Sequence, residues 1–299
     1  MDDRYRLDKE RIRRSFDRAA ACYDEVAVLQ REVGERMLDR MELIRLRPRR
    51  ILDIGAGTGY CSRLLRRRYP KAELISADLA PAMVARAAER VTVWERLLGR
   101  HHFAVADLEQ LPVADGSVDL LFSNLTLQWC SAPERAFGEL RRVLRPGGLL
   151  MFTTFGPDTL RELRLCWGEV DGYTHVSAFA EMRQVGDLLL ESRFADPVVD
   201  SETFTLTYAK VRDLMRDLKM LGAHNATAGR QRGLTGKGRF AALVDAYEGW
   251  RRDGVLPATY EVIYGHAWAP EPGMARRAGE QRGAIPLAQL RTALGRRRP

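Results

Sequence analysis

The stretch Ile51-Leu52-Asp53-Ile54-Gly55-Ala56-Gly57-Thr58-Gly59 decides the fold of this chain. Residues 51–54 predict a buried strand, and the glycines after them predict a tight turn that leads into a helix. Glycine permits a positive φ and carries no Cβ, so a ligand can touch the backbone at Gly55 and Gly57. The N–H groups at the start of the following helix suit an anion. The stretch therefore predicts a ligand-binding loop between a strand and a helix.

The spacing of these glycines argues against two common phosphate-binding loops. A dinucleotide fingerprint, G-x-G-x-x-G, that began at Gly55 would need a glycine where the chain has Tyr60. A P-loop would need glycine and then lysine where Tyr60 and Cys61 stand. The loop therefore predicts a ligand without a pyrophosphate.

The neighbouring segments predict a mostly parallel α/β sheet. Apolar runs without polar alternation fit strands that are buried on both faces, and the helical patterns between them supply the crossovers. The R-P-G-G sequence at 145–148 is expected to end a helix and turn the chain into the fifth strand. The first five strands are expected at 51–54, 73–78, 102–107, 118–123 and 149–154.

Further elements are expected on both sides of these strands. Residues 8–23 and 26–44 each place apolar side chains on one helical face, which predicts two helices before the first strand. Weaker runs within 198–208 and 259–268 are assigned to the sixth and seventh strands. The remaining helices are expected near 158–170, 180–192, 210–221 and 239–252.

Acidic residues stand at the ends of the second and third strands. The carboxyl ends of parallel strands meet at one edge of a sheet, where such folds bind ligands. Asp78 is placed to accept hydrogen bonds from both hydroxyls of a ribose. Leu79 and Met83 can enclose an aromatic base, and Asp107 can accept from its exocyclic amine. Together with the loop, these residues describe a nucleoside attached to an amino acid; in the simpler alternative, both acids only cap helices.

This set of residues resembles the class I S-adenosylmethionine-dependent methyltransferases. The resemblance implies a Rossmann-like α/β fold with seven strands, helices on both faces of the sheet, a helical lid, and S-adenosylmethionine as cofactor. It implies a role for each position. The expected contacts are the methionine part with Arg31, Asp53, Gly55, Ala56 and Gly57, the ribose with Asp78, the adenine with Leu79, Met83, Asp107 and Leu108, and the sulfonium with Asn124.

Longer segments narrow the resemblance. They look like the malonyl-acyl-carrier-protein O-methyltransferase family of biotin synthesis, over about residues 10–269. This implies that the free carboxylate of a malonyl thioester is methylated and that an acyl-carrier protein is the partner. The segments are SFDRAAACYD (15–24), LQRE (29–32), SNLTLQWC (123–130), LRPGG (144–148), TFGPDTLREL (154–163), VDGYTHV (170–176), LKMLGAHNATAGRQRGLTG (218–236) and ATYEVIYGHAW (258–268).

The methyl acceptor in that reaction needs no general base, because a carboxylate with a pKa near ~4 is already ionised at neutral pH. Positioning of the reacting groups then carries the catalysis. Tyr23 is the first candidate for a catalytic lid residue. His224, Asn225 and Arg230 are candidates for binding the acyl carboxylate or the thioester. In the alternative interpretation, each of them has only a structural or solvent-exposed role.

Three regions are expected: N-terminal lid helices at 1–47, a methyltransferase domain at 48–269 with helical insertions near 156–180 and 210–255, and a basic, flexible tail at 270–299. The 299 residues carry a formal net charge of +8. The tail alone contributes +5 of it, so the charge of the whole chain is weak support for nucleic-acid binding, and no nucleic-acid motif accompanies it.

An acidic acyl-carrier protein calls for a basic patch beside the acceptor pocket. Two candidate patches are Arg141, Arg142 and Arg145, and Arg230, Arg232, Lys237 and Arg239. The 4 cysteines lack metal or disulfide spacing. No apolar run is long enough for a membrane span, so a reducing cytoplasm is expected. We expect no metal, and neither nucleic acid nor membrane as a partner.

Three alternative functions stay open from the sequence. The glycine loop points to the cofactor and says little about the acceptor, so another small-molecule O-, N- or C-methyltransferase is an alternative. A second alternative is an arginine-hydroxylating relative, similar to an assembly factor of respiratory complex I. The third is a protein that binds S-adenosylmethionine without turnover.

Overall fold

The computed structural model describes residues 7–92, 95, 99–223, 225, 227 and 236–271. The strands within them are β1 Arg50–Ile54, β2 Glu73–Asp78, β3 His101–Val105, β4 Val118–Ser123, β5 Leu144–Phe155, β6 Ala195–Tyr208 and β7 Leu256–Trp268. The α-helices are α1 Lys9–Ala19, α2 Tyr23–Val26, α3 Val28–Arg40, α4 Tyr60–Arg68, α5 Pro81–Glu89, α6 Pro133–Val143, α7 Arg161–Val170, α8 Met182–Glu191, α9 Val211–Met220 and α10 Lys237–Glu248. Short 3₁₀ turns form at Met41–Leu43 and Leu127–Trp129.

The seven strands form one sheet in the order β3-β2-β1-β4-β5-β7-β6. Only β7 runs antiparallel to its neighbours β5 and β6. The predicted seven-stranded, mostly parallel sheet is confirmed. The order reverses between β1 and β4, and such a switch point opens a crevice at the carboxyl ends of the strands. The glycine loop follows β1 directly, so it lies at this crevice.

The core lies on both faces of the sheet. Successive side chains of a strand point to opposite faces, and β4 is buried along its whole length. Ile51 and Phe122 pack on one face with Met37 of α3. Leu52 packs on the other face with Phe137 of α6. Burial on both faces explains why these strands read as continuous apolar runs.

Two local predictions are wrong. The R-P-G-G sequence does not precede the fifth strand but lies inside it, because β5 begins at Leu144. Gly147 has φ +70° and its N–H donates to the Ala269 carbonyl at 2.8 Å, so the segment continues the sheet. The helix expected over 8–23 ends at Ala19, and Tyr23 begins a separate helix, α2. This break turns the chain around the glycine loop.

Within the described residues, no helix combines the length and the apolar character that crossing a membrane requires. Residues 272–299, which hold nearly all of the predicted basic tail, lie outside the described part of the chain. The division into lid, domain and tail therefore stays a prediction.

Candidate active site

A central cavity lies at the carboxyl ends of β1, β2 and β4. It is bounded by strand ends on one side and by the N-terminal helices on the other. Helix α1 contributes Ile12 and Phe16, and α2 contributes Tyr23. The predicted residues in its wall are Tyr23, Gly55, Gly57, Asp78, Leu79, Met83, Asp107, Leu108 and Asn124.

The glycine loop is shaped by positive φ angles at Gly55, Gly57 and Gly59. Gly55 has φ +74°, and a Cβ there would lie 1.9 Å from Thr126 Oγ1, so this position accepts only glycine. Gly57 has φ +54°, and a Cβ there would come no closer than 4.0 Å, to Tyr23 Cε1. Gly57 therefore borders open space, and because it has no side chain a ligand can occupy that space.

Asp78 organises the loop from the end of β2. Its Oδ2 accepts from the Gly57 N–H at 2.9 Å and its Oδ1 accepts from the Ala80 N–H at 2.9 Å. Burial raises the pKa of Asp78 above its ordinary value, although these backbone hydrogen bonds oppose the shift. Each carboxylate oxygen keeps a lone pair. Leu79 and the fully buried Met83 lie beside it in the cavity wall.

A smaller glycine-loop pocket adjoins the central cavity and shares Tyr23, Gly55, Gly57 and Asn124 with it. Asp53, Ala56 and Arg31 also line it. The Asp53 carboxylate accepts from Ser62 Oγ. Burial raises the pKa of Asp53 to about 7; the Ser62 hydrogen bond lowers it and the nearby Asp78 adds to the rise. The predicted contacts for an amino-acid moiety thus lie together in one pocket.

Arg31 reaches this pocket from α3. Its guanidinium donates to the Asp24 carbonyl at 2.7 Å and lies 6.0 Å from the centre of the Tyr60 ring. Thr58 Oγ1 donates to Asp24 Oδ1 at 2.6 Å, which ties α2 to the glycine loop. Helix α2 is therefore held against the glycine loop and the start of α3.

Lys9, at the start of α1, lies opposite Asp107, and the sequence reasoning did not single it out. Its Nζ donates to the two Asp107 carboxylate oxygens at 2.8 and 2.6 Å and lies 2.8 Å from Glu109 Oε2. Partial burial opposes the charged form of Lys9, but these carboxylates outweigh it and raise the pKa of Lys9. The scarcity of lysine in this arginine-rich chain is the one sequence signal that singles out Lys9. It does not identify the partner, because Asp107 is 98 positions away along the chain.

Tyr23 and Asn124 stand where the pocket meets the central cavity. Asn124 Nδ2 donates to the Gln30 carbonyl at 2.8 Å, and Asn124 Oδ1 accepts from Thr153 Oγ1 at 2.7 Å, so both ends of its carboxamide are held. Burial raises the pKa of Tyr23, with nearby Asp78 and Asp24 adding to it. The phenol stays neutral at physiological pH and can donate a hydrogen bond.

An outer cavity joins the central cavity. Its far wall contains apolar side chains such as Leu163, Met215 and Leu218, together with His175. The His175 ring stacks on Trp167 at 3.7 Å and lies 2.8 Å from Asp171 Oδ1. The two cavities share the walls Gln30, Gln128, Trp129, Phe155, Leu221 and Ala223.

The predicted acceptor residues are only partly within the described structure. Asn225 lines the outer cavity, and its Nδ2 donates to the Thr174 carbonyl. Its Oδ1 accepts from the Thr227 N–H at 2.9 Å, so the side chain holds a loop. His224 and Arg230 lie outside the described residues. In the described ranges, no three His, Cys, Asp or Glu side chains approach one another closely enough to hold a metal.

The arrangement can hold a nucleoside linked to an amino acid and present it to a second compartment. Three kinds of group follow one another along the cavity wall. They are polar groups that suit an amino acid, the Asp78 carboxylate that suits the ribose hydroxyls, and apolar side chains that suit a base. Such an arrangement fits S-adenosylmethionine, which supplies an electrophilic methyl group on a sulfonium.

Comparison with known proteins decides the family. A protein named malonyl-acyl-carrier-protein O-methyltransferase from Methylovorus sp. (strain MP688) is 51% identical over 275 residues, which are 91% of this chain and 93% of that protein. The chain belongs to this methyltransferase family. The protein of the same name from Halorhodospira halophila is 53% identical over 284 residues, 94% of this chain and 95% of that protein. The methyltransferase domain family matches residues 52–152.

The fold has solved counterparts. Phosphoethanolamine N-methyltransferase 2 of Haemonchus contortus, solved with S-adenosyl-L-methionine, superimposes with a TM-score of 0.53 at 18% identity, covering 85% of this chain and 57% of that one. Family membership confirms that this chain is a methyltransferase and that S-adenosylmethionine is its methyl donor, as the sequence predicted. It decides against the arginine-hydroxylating and the non-catalytic alternatives. The roles of individual site residues stay predictions.

Proposed function

We propose that this protein transfers the methyl group of S-adenosylmethionine to the free carboxylate of a malonyl group on acyl-carrier protein, in biotin synthesis. The names of its relatives state this activity for those proteins. The observation that carries the proposal is the outer cavity, which opens from the central cavity past Gln128 and Trp129. Its lining is mainly apolar, which suits a thioester arm with a small acid at its end.

The residues of the central cavity and of the glycine-loop pocket hold the donor. Arg31, Gly55, Ala56 and Gly57 enclose the methionine part, with Asp53 below them. Asp78 accepts from the ribose hydroxyls. The adenine lies between Leu79, Met83 and Leu108, with its amine toward Asp107. Tyr23 and Asn124 border the sulfonium.

The walls around the acceptor favour this reaction by excluding water. The negative acceptor and the positive donor neutralise each other as the carbon–oxygen bond forms and the carbon–sulfur bond breaks, and no proton moves. Water stabilises the separated charges more than the transition state, so the apolar neighbours Phe155, Leu221 and Trp129 favour transfer. Alignment of the reacting atoms supplies the rest of the rate. Trp129 is held edge-on against Phe16 of the lid, with ring centres 5.3 Å apart.

The first basic patch is poorly placed for docking of the carrier protein. Arg145 lies near the amino end of β5, roughly 30 Å from Phe155 at ~3.3 Å per residue. It pairs with Asp119. Arg142 donates to Asp115 Oδ1 at 2.6 Å and to the Val113 carbonyl at 2.7 Å. These arginines stabilise the opposite edge of the sheet.

Of the second patch, the structure describes Lys237 and Arg239, which lie closer to the outer cavity; Arg230 and Arg232 lie outside the described residues. Arg239 of α10 lies 3.8 Å from Asp171, the partner of His175 in the cavity wall. Lys237 begins the same helix, and Lys219 itself lines the cavity. We propose that Lys219, Lys237 and Arg239 receive the acidic carrier protein. The cytoplasm, where the four free cysteines stay reduced, is the proposed compartment.

The deciding experiment incubates the protein with S-adenosylmethionine and malonyl-acyl-carrier protein and follows the acyl chain by mass spectrometry. A gain of one methylene with malonyl, and none with acetyl, supports the proposal; a succinyl carrier protein tests acid length. No gain with malonyl, while S-adenosylmethionine still binds, refutes the proposed acceptor.

The docking surface has a separate test. The double variant Lys237→Glu/Arg239→Glu should raise the KM for malonyl-acyl-carrier protein about tenfold and leave the KM for malonyl-coenzyme A nearly unchanged, if the latter is a substrate. Arg100→Glu, an exposed reversal at the amino edge of the sheet, is the control. Equal effects of the double variant and Arg100→Glu on the carrier-protein KM would place docking elsewhere.

A further inference from the structure

Gln30, on the first turn of α3, lies where three compartments meet. The central cavity, the glycine-loop pocket and the outer cavity all have Gln30 in their walls. Among the described residues it is the only one that lines all three. Under the proposed function, the adenosine, the methionine part and the acceptor occupy these three spaces. The methyl group must pass at their meeting point, so Gln30 borders the reacting atoms.

The carboxamide of Gln30 is available to a ligand. Its Oε1 is buried and has no hydrogen-bond partner within the described part of the chain. A buried carbonyl oxygen without a partner is costly, which indicates that something else satisfies this group when the site is filled. The other two carboxamides nearby are already engaged. Asn124 is held at both ends, and Gln128 Nε2 donates to the Leu125 carbonyl at 2.7 Å.

The backbone of Gln30 is held in place. Its carbonyl accepts from Asn124 Nδ2 at 2.8 Å, and Asn124 is fixed by Thr153 of β5. The turn of α3 that carries Gln30 is thereby linked to the ends of two strands. A group held on a rigid element can orient a reactant, which a mobile loop residue does less well.

We propose that Gln30 aligns donor and acceptor and makes the enzyme selective for an anionic acceptor. Its Nε2 donates to one oxygen of the acceptor carboxylate and leaves the other oxygen free to attack. Its Oε1 faces the sulfonium side, where the polarised methyl hydrogens are electropositive. A carboxamide presents a donor and an acceptor without net charge, so it serves both partners at once. This inference rests on the proposed carboxylate acceptor.

Two substitutions separate this role from a structural one. Gln30→Glu keeps the shape but replaces the donor with a negative charge; Gln30→Met keeps the length and removes both polar groups. For Gln30→Glu we expect at least a tenfold higher KM for malonyl-acyl-carrier protein, because two carboxylates face each other. The same charge favours a sulfonium, so the ratio of S-adenosylmethionine to S-adenosylhomocysteine affinity should rise about threefold or more. For Gln30→Met we expect a lower kcat/KM and a lower ratio, because the oxygen that faces the sulfonium methyl group is lost.

The measurements are steady-state kinetics of the full chain and calorimetric titration with both nucleosides. Gln184→Glu, a carboxamide on α8 whose capping contact with Glu181 a glutamate can also make, controls for added charge. If the parent protein forms product and both Gln30 variants have kinetic constants within twofold of the parent, the role of Gln30 is overturned and the proposed function stands. A parallel loss of affinity for both nucleosides would also overturn it, because it indicates a structural role. Absence of product with the parent protein would instead refute the proposed function.

Discussion

The Lys9 ammonium group donates to both carboxylate oxygens of Asp107, at 2.8 and 2.6 Å. It thereby joins the first turn of α1 to the part of the central cavity assigned to the adenine edge. A carboxylate has about four acceptor positions, so Asp107 can serve Lys9 and an exocyclic amine together. The predicted lid helix α1 and the predicted base-binding wall are therefore joined by this ion pair.

Removing that ion pair should loosen the lid. Lys9→Met loses a charge-assisted contact that is partly exposed, worth about 1 kcal/mol. We expect S-adenosylmethionine binding to weaken about fivefold, as measured by calorimetry. Arg14→Met on the same helix removes only an exposed pair with Glu10 and should bind as the parent does. Tighter binding by Lys9→Met would mean that Lys9 blocks the site instead of closing it.

Asp53 predicts a pH dependence near neutrality. Its pKa is raised to about 7, chiefly by burial, so the folded protein binds more protons than the unfolded chain between about pH 4 and 7. Asp53 therefore contributes stability at low pH that is lost as pH rises through about 7. The Asp53→Asn variant should gain stability relative to the parent across this range, as followed by urea unfolding at several pH values.

The same titration should affect cofactor binding in the opposite direction. Ionised Asp53 favours the ammonium group of the methionine part, so affinity for S-adenosylmethionine should increase from pH 6 to 8. In Asp53→Asn the affinity should be lower at pH 8 and the increase smaller. If the affinity changes equally with pH in the parent and in Asp53→Asn, another group is responsible for the pH dependence.

Asp78 should be necessary for cofactor binding beyond its structural contacts. Asp78→Asn replaces one carboxylate oxygen with an NH₂ group. That oxygen accepts from the Gly57 or the Ala80 N–H and is available to a ribose hydroxyl, so we expect at least tenfold weaker binding of S-adenosylmethionine. Asp119→Asn is a matched control, since Asp119 Oδ2 accepts from the Arg49 and Arg50 N–H groups at 2.7 and 2.6 Å, at the far edge of the sheet. It should lower the melting temperature without weakening binding. Similar binding losses in both variants would indicate an unfolding effect.

Alanine substitutions at Gly55 and Gly57 should impair the protein in different ways, the first its stability and the second its ligand binding. Gly55→Ala places its Cβ against Thr126 Oγ1, so we expect a loss of stability of about 2 kcal/mol or more. Gly57→Ala has no such contact and loses about 1 kcal/mol from its positive φ, yet its methyl group enters the ligand space. It should melt close to the parent and bind S-adenosylmethionine poorly. Thermal melts measure the stability of the two variants, and calorimetry measures their affinity for S-adenosylmethionine. Normal affinity in Gly57→Ala would show that the ligand does not contact the Gly57 backbone.

Local patterns predicted most of the fold. The first four expected strands start and end within two residues of β1 to β4, because strands buried on both faces read as apolar runs. The order of Asp53, Asp78 and Asp107 along the chain also predicted one ligand edge, since parallel strands end on the same side. The sixth strand was less distinct in sequence, because it lies at the edge of the sheet and its side chains alternate between half-buried and exposed positions.

The sequence alone determined the glycine loop, the parallel sheet and the identity of the residues along its ligand edge. These follow from spacing and polarity within a few residues. Only the tertiary structure decided that Lys9 meets Asp107 and that Gln30 lies at the meeting point of three compartments. Such contacts join segments distant in the chain, and their free energies arise from packing that no local pattern encodes.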